Sequence, residues 1–159
     1  MDADILWLEA YKGEVLGERL FGLLAERQDH RDRRAQLEVL TTLERATKEL
    51  AEPVLGRRGL APIEIDETLA EGDALADAVA GLTWEQFLGS FEPVISQFLE
   101  KYRQLVELAG DDAERAVAEA YVAHELALAA FARRSLGEES GEPLEDILAL
   151  PHVAAAVTA

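Results

Sequence analysis

The chain has 159 residues, 49% of them apolar, and carries 32 acidic against 15 basic side chains, a formal net charge of −17. That length and apolar content suit one globular domain with a real core rather than a disordered chain. The charge argues against a nucleic-acid or anionic-membrane partner, both of which are held by lysine and arginine, and the lack of cysteine removes disulfides, thiolate metal sites and cysteine nucleophiles.

The N-terminal stretch MDADILWLEAYKGE has no basic n-region, so no signal peptide is expected and the cytoplasm is the expected location. No uncharged apolar run reaches the roughly 18 residues of a membrane helix. A first helix is predicted over Asp4–Ala25. Trp7, Tyr11, Glu14, Glu18, Phe21 and Ala25 step along one face, which sets two glutamates one turn apart in or beside an apolar stripe. Gln28-Asp29-His30 is a tight connection in which Asp29 is the expected N-cap and His30 is exposed. The second predicted helix runs from His30 to Glu52 and stops at Pro53. Leu37, Leu40, Glu44, Thr47 and Ala51 form its inner stripe, and Arg34, Glu38, Arg45 and Lys48 its charged outer face.

From Pro53 to Leu82 the chain changes character. Pro53, Gly56, Gly59, Pro62, Gly72 and Gly81 break it up, leaving one short helical candidate around Asp73–Ala80. Such a length exceeds an ordinary helix–helix loop. It matches a connection travelling the length of a bundle, since helices of about 23 residues are roughly 35 Å long. The third predicted helix spans Thr83–Ala109, opened by a Thr83/Gln86 capping box and kinked at Pro93, with Phe87, Phe91, Val94, Phe98, Tyr102 and Leu105 inward. Gly110 ends it, and Asp111 with Glu114 forms a second capping box that opens the fourth. So short a turn makes these two helices antiparallel neighbours.

The fourth helix contains AVAEAYVAHELALAAFA, residues 116–132, interrupted only by Glu119, His124 and Glu125. A helix apolar nearly all round is buried, so this one is central to the bundle, or is covered on one side by a second subunit. Val117, Tyr121, His124, Leu128 and Phe131 share a face, and an imidazole in that stripe needs a partner for its nitrogens. After Gly137 a polar linker, Glu138 to Pro143, leads to an amphipathic tail helix from Leu144, with Ile147, Leu148, Leu150 and Val153 apolar.

Two antiparallel helix pairs joined by one long crossover is the ferritin-like arrangement. The expected fold is therefore all-α: a single domain over 1–159, a ferritin-like four-helix bundle with its crossover at about 53–82 and a short C-terminal fifth helix. Glu14-Val15-Leu16-Gly17-Glu18-Arg19-Leu20-Phe21 resembles the first helix of ferritin-like and rubrerythrin-like proteins, where a metal-binding glutamate precedes an aromatic residue by about two turns. Leu43-Glu44-Arg45-Ala46-Thr47 resembles the second helix and Tyr121-Val122-Ala123-His124 the fourth, where the family carries Glu-x-x-His. This chain keeps the glutamate of one motif, with Thr47 in place of histidine, and the histidine of the other, with Tyr121 in place of glutamate. On the third helix Glu92, beside Pro93, stands at the stripe's edge.

The resemblance implies an iron or manganese site drawing on Glu14, Glu18, Glu44, His124 and Glu92, and with it an oxidoreductase or iron-handling role. Counted from the first turn, Glu14 and Glu44 lie at matching depths, with Glu18 one turn nearer. Counted from the second, His124 is level with Ser96, one turn from Glu92 and Glu100. Glu14, Glu44 and His124 are thus expected to meet in mid-bundle, which suffices for one metal ion. The competing expectation is a core histidine paired with Glu14, Glu18 or Glu44 in a metal-free, degenerate ferritin-like bundle acting as a structural or interaction module. A small-molecule site between helices is a third. Either bundle is expected to be a homodimer through the fourth helix or the tail. No Ser-His-Asp spacing suggests a hydrolase, and no glycine-rich loop after a strand suggests a nucleotide site.

Overall fold

The computed structural model describes residues 2–62 and 65–159, and no strand occurs among them. Eight ranges are helical: α1 Ala3–Arg27, α2 Arg31–Arg57, α3 Asp66–Val79, α4 Trp84–Gly89, α5 Phe91–Glu107, α6 Asp112–Ser135, α7 Glu145–Ala149 and α8 Pro151–Thr158. None is long and apolar enough to cross a membrane.

Contacts along the helices fix their directions. Asp4 meets Arg58 at one end of α1–α2 and Glu18 meets Arg45 nearer the turn, so the pair is antiparallel. Glu9 meets Lys101 while Phe21 packs on Phe91, which sets α5 antiparallel to α1. Consequently α2 and α5 run the same way, as a long crossover requires. α6 opposes α2, with Glu114 at Arg58 and His124 at Glu44.

Several elements differ from the sequence reading. α2 does not stop at Pro53. That proline is exposed, and the last turn buries Val54 and Leu55 completely, which offsets the roughly 3 kcal/mol of an interior proline. The helix ends instead in a Schellman motif: Gly59 at φ 71° lets Leu60 N–H reach the Leu55 carbonyl at 2.8 Å. The crossover is not mostly extended. α3 occupies it, about 21 Å of helix, and lies along α1 through Lys12–Glu71, Arg19–Asp73 and Arg27–Asp77. The third predicted helix is interrupted at Ser90 rather than bent at Pro93, because the ring of Pro93 crowds the carbonyl one turn back; the Ser90 hydroxyl donates to the Phe87 carbonyl at 2.6 Å. Pro151 splits the tail into two helices. At the first turn His30, not Asp29, is the N-cap, its Nδ1 accepting from Arg33 N–H at 3.4 Å. The Thr83/Gln86 capping box forms. In the second expected box Asp111 caps Glu114 N–H, but the Glu114 carboxylate turns to Gly110 N–H and Arg58.

The tail covers α6 and α2 from within the same chain, with Ile147 and Val153 fully buried. The interior consists of two apolar clusters. One gathers Phe21, Leu40, Leu43, Phe91 and Phe131; the other gathers Trp7, Tyr11, Leu55, Tyr102 and Tyr121. Between them, in mid-bundle, lies a polar layer.

Candidate metal centre

The layer is built by three helices. α1 supplies Glu14, α2 supplies Glu44 and Thr47, and α6 supplies His124 and Glu125, each of them buried. One donor atom from each of Glu14, His124 and Glu125 lies within 4.8 Å of the others, the spacing of a set able to hold a metal ion. Glu44 Oε1 is 3.4 Å from His124 Nε2, and Glu14 Oε2 is 3.5 Å from His124 Nδ1. Glu44 reaches this depth because Gly17 leaves room: a Cβ there would stand 2.6 Å from the Glu44 carboxyl carbon.

Thr47 determines which histidine nitrogen is free. Its hydroxyl donates its single proton to the Leu43 carbonyl at 2.8 Å. Only acceptor lone pairs remain on that oxygen. His124 Nδ1 at 3.1 Å and His152 Nε2 at 2.9 Å must therefore donate to it. With its proton on Nδ1, a neutral His124 presents a bare lone pair at Nε2, among the Glu44 and Glu125 carboxylates at 3.4 and 3.8 Å. Nε2 and Glu14 Oε2 are both buried without a hydrogen-bond partner. A histidine whose second nitrogen donates to a fixed oxygen is the usual state of a metal-ligating imidazole.

Without a cation, protons must neutralise the acids. Burial raises the Glu14 carboxyl well above its ordinary range, and the Glu44 carboxylate adds to the effect. Burial pushes Glu125 up to about 7, against the pull of His124 and with a push from Glu44. Burial draws the His124 imidazolium down, but Glu44 and Glu125 outweigh it and its pKa ends raised. His152 is lowered, by burial first and by His124 second. Burial and then the charge of Glu14 hold the Tyr102 and Tyr121 phenols well above their usual range. Those two rings meet edge to face at 4.9 Å and close the layer on one side.

No family model, curated protein or solved structure matches the chain.

Of the residues expected at the site, Glu14, Glu44 and His124 come together. Glu18 does not join them: it is half-buried and pairs with Arg45 at 2.9 Å and with Lys48 at 2.6 Å, a lysine expected on the outer face of α2 but buried. Glu92 is exposed and borders a separate surface hollow with Arg133 and Glu138. The sequence reading missed Glu125, noted only as a break in the apolar run. The available signal was its place next to His124 in the middle of that run; Glu119, the other acid of the run, is exposed. It also missed His152, the one polar residue in PHVAAAV, and the bridging role of Thr47.

Proposed function

We propose that this chain is a ferritin-like bundle whose polar layer holds one divalent cation of iron or manganese type, for redox chemistry or iron handling. Glu14, Glu125 and His124 are its ligands and Glu44 a further carboxylate. The observation that carries the reading is the pair of buried, unpartnered atoms, Glu14 Oε2 and His124 Nε2, in a cluster with metal-ligand spacing. Carboxylate oxygens with one imidazole suit these metals. Three carboxylates exceed the charge of one such ion by one, and a second ion would need acids that Glu18 and Glu92, placed elsewhere, do not supply. The common direction of α2 and α5 across the crossover supports the ferritin-like topology. When bound, the cation supplies a Lewis-acid or one-electron centre. The protein orients His124 through Thr47 and buries the layer between the two apolar clusters. The role of α6 and the tail as a homodimer interface belongs to the same proposal.

A second reading rests on the raised pKa values of Glu14, Glu125 and His124. Protons alone can balance the layer, and the bundle is then a metal-free interaction module. One experiment separates the two: elemental analysis of protein purified without chelator, repeated on His124→Ala with melting curves. Loss of bound iron or manganese in the variant supports the metal centre. A chain that never carries metal, destabilised by about 3–5 kcal/mol in the variant as in other broken buried pairs, supports the metal-free layer. Unchanged melting and metal content in His124→Ala would falsify both.

A further inference from the structure

A cavity of about 210 Å³ enters the bundle beside α1 and ends on the acids of the polar layer. Its mouth lies between α3 and α5, where Leu75 and Val94 are apolar yet 40% and 52% exposed. Farther in, its walls are the aromatic rings of Phe21, Phe91 and Phe98. The innermost polar groups are the carboxyls of Glu14, Glu44 and Glu125, and Glu14 Oε2 has no hydrogen-bond partner. Gly13 and Gly17 keep the α1 wall low: a Cβ at Gly13 would press on Phe98 at 3.3 Å, and one at Gly17 would collide with Glu44. Two mid-helix glycines cost roughly 1 kcal/mol each against alanine, so this wall is kept open against helix propensity.

We propose that this cavity is the binding site for a small, neutral, apolar molecule of about seven to ten heavy atoms, held with one end against the carboxylate layer. The size follows from volume, since an apolar cavity of roughly 150 Å³ takes benzene. The class follows from the lining. No lysine or arginine among the described residues borders the cavity, so an anionic head group would meet three carboxyls and no cation. Apart from the acids, the polar lining side chains are only the Tyr102 phenol and Ser90, whose hydroxyl already donates to the Phe87 carbonyl; the remaining walls are aromatic and aliphatic. The inference rests on the metal reading only for what the molecule meets at the inner end, where it makes the molecule a candidate substrate of that centre.

The test is calorimetric titration of chelator-treated protein with toluene and, separately, with benzylamine, alongside a titration with Mn²⁺. Saturable toluene binding is expected, with benzylamine no tighter. A Leu75→Trp/Val94→Trp double variant at the exposed mouth, and an Ile95→Trp variant that fills the interior, are each expected to weaken toluene at least tenfold while leaving Mn²⁺ binding in place. Should Ile95→Trp fail to fold, the mouth variant decides alone. Absence of saturable toluene binding overturns the inference, as does full toluene affinity in a folded mouth variant. Benzylamine binding tenfold more tightly than toluene overturns it too, by making the acids an ammonium site. Loss of Mn²⁺ binding with toluene binding intact overturns only the metal reading, so the two fail separately.

Discussion

Replacing Thr47 by valine preserves the side chain's shape and deletes one oxygen. That oxygen donates to the Leu43 carbonyl at 2.8 Å and receives His124 Nδ1 at 3.1 Å and His152 Nε2 at 2.9 Å. The Leu43 carbonyl keeps its helical partner, so its loss is small. His152 is half-buried and finds water. His124 is fully buried, and its other neighbour on that side, Glu14 Oε2, stands at 3.5 Å, too far for a good bond. One buried unsatisfied donor costs about 1–3 kcal/mol. For a domain of this size that lowers the melting temperature by roughly 2–10 °C. The freed ring also loses its fixed tautomer, so Mn²⁺ affinity is expected to fall about 10- to 100-fold, as for other oxygens that orient a ligating histidine. Thr47→Ser should restore both properties. A valine variant with wild-type melting and Mn²⁺ affinity would refute the reasoning, because Thr47 would then not set which nitrogen of His124 is free.

The pH dependence of the cation-free chain has a definite sign. Glu125 titrates at about 7 when folded and near 4.5 otherwise; between those values the folded state keeps a proton that the unfolded chain has lost. Stability falls as pH rises through that window, by up to about 3 kcal/mol for this group. The raised His124 acts in the same direction, its contribution full below its unfolded pKa and lost above its folded one. Chelator-treated protein should therefore melt higher at about pH 5.5 than at about pH 8, with Mn²⁺ narrowing the gap; higher melting at the alkaline end without metal contradicts this. Gly17→Ala is expected to destabilise and weaken Mn²⁺ binding, since its Cβ stands 2.6 Å from the Glu44 carboxyl carbon, whereas Gly56→Ala, with nothing within 4 Å, should stabilise. Equal gains from both, each about 1 kcal/mol, would show that the carboxylate moves freely. Leu126 on α6, Leu148 on α7 and Val157 on α8 are exposed, and a homodimer through these elements is expected; light scattering that shows a monomer at tens of micromolar, on the order of weak interfacial affinity, rules it out.

What was legible in the sequence was whatever local chemistry decides. The Thr83 cap, the Gly110–Asp111 turn and the apolar run on α6 each depend on residues a few positions apart, and each formed. Elements decided by burial at a distance were not legible. Pro53 reads as a stop until Val54 and Leu55 have a core to enter. The glycines of the crossover read as breakers, yet Gly72 sits inside α3 because a Cβ there would lie 2.7 Å from Arg19 Cγ on α1. The acids show the same limit. Glu14 and Glu18 differ by only about 40° around α1, and periodicity cannot choose between them. The choice is made on α2, where Arg45 and Lys48 engage both oxygens of Glu18, while on α1 itself the gap at Gly17 admits Glu44 beside Glu14.

The polar layer itself is hard to account for as packing. A helical bundle is held by apolar layers, and replacing buried ionic groups by well-packed apolar ones is often neutral or stabilising by about 1–4 kcal/mol. Here three carboxyls and an imidazole occupy the depth at which the Leu43 and Val15 layers would otherwise meet, and they divide the core in two. Leucines at Glu14, Glu44 and Glu125 would fill similar volume without desolvating a charge. What leucine cannot supply is electron pairs, and the layer's surrounding contacts all bear on those pairs. Thr47 takes the proton side of His124, leaving Nε2 of the neutral ring bare, and Gly17 yields its side-chain space to Glu44. The aromatic cavity then leads from the surface to the same carboxyls. Supports of this kind would serve little purpose around acids that only had to be neutralised, because a proton needs neither a fixed tautomer nor an approach. They are intelligible around acids that hold a cation and meet a second molecule beside it.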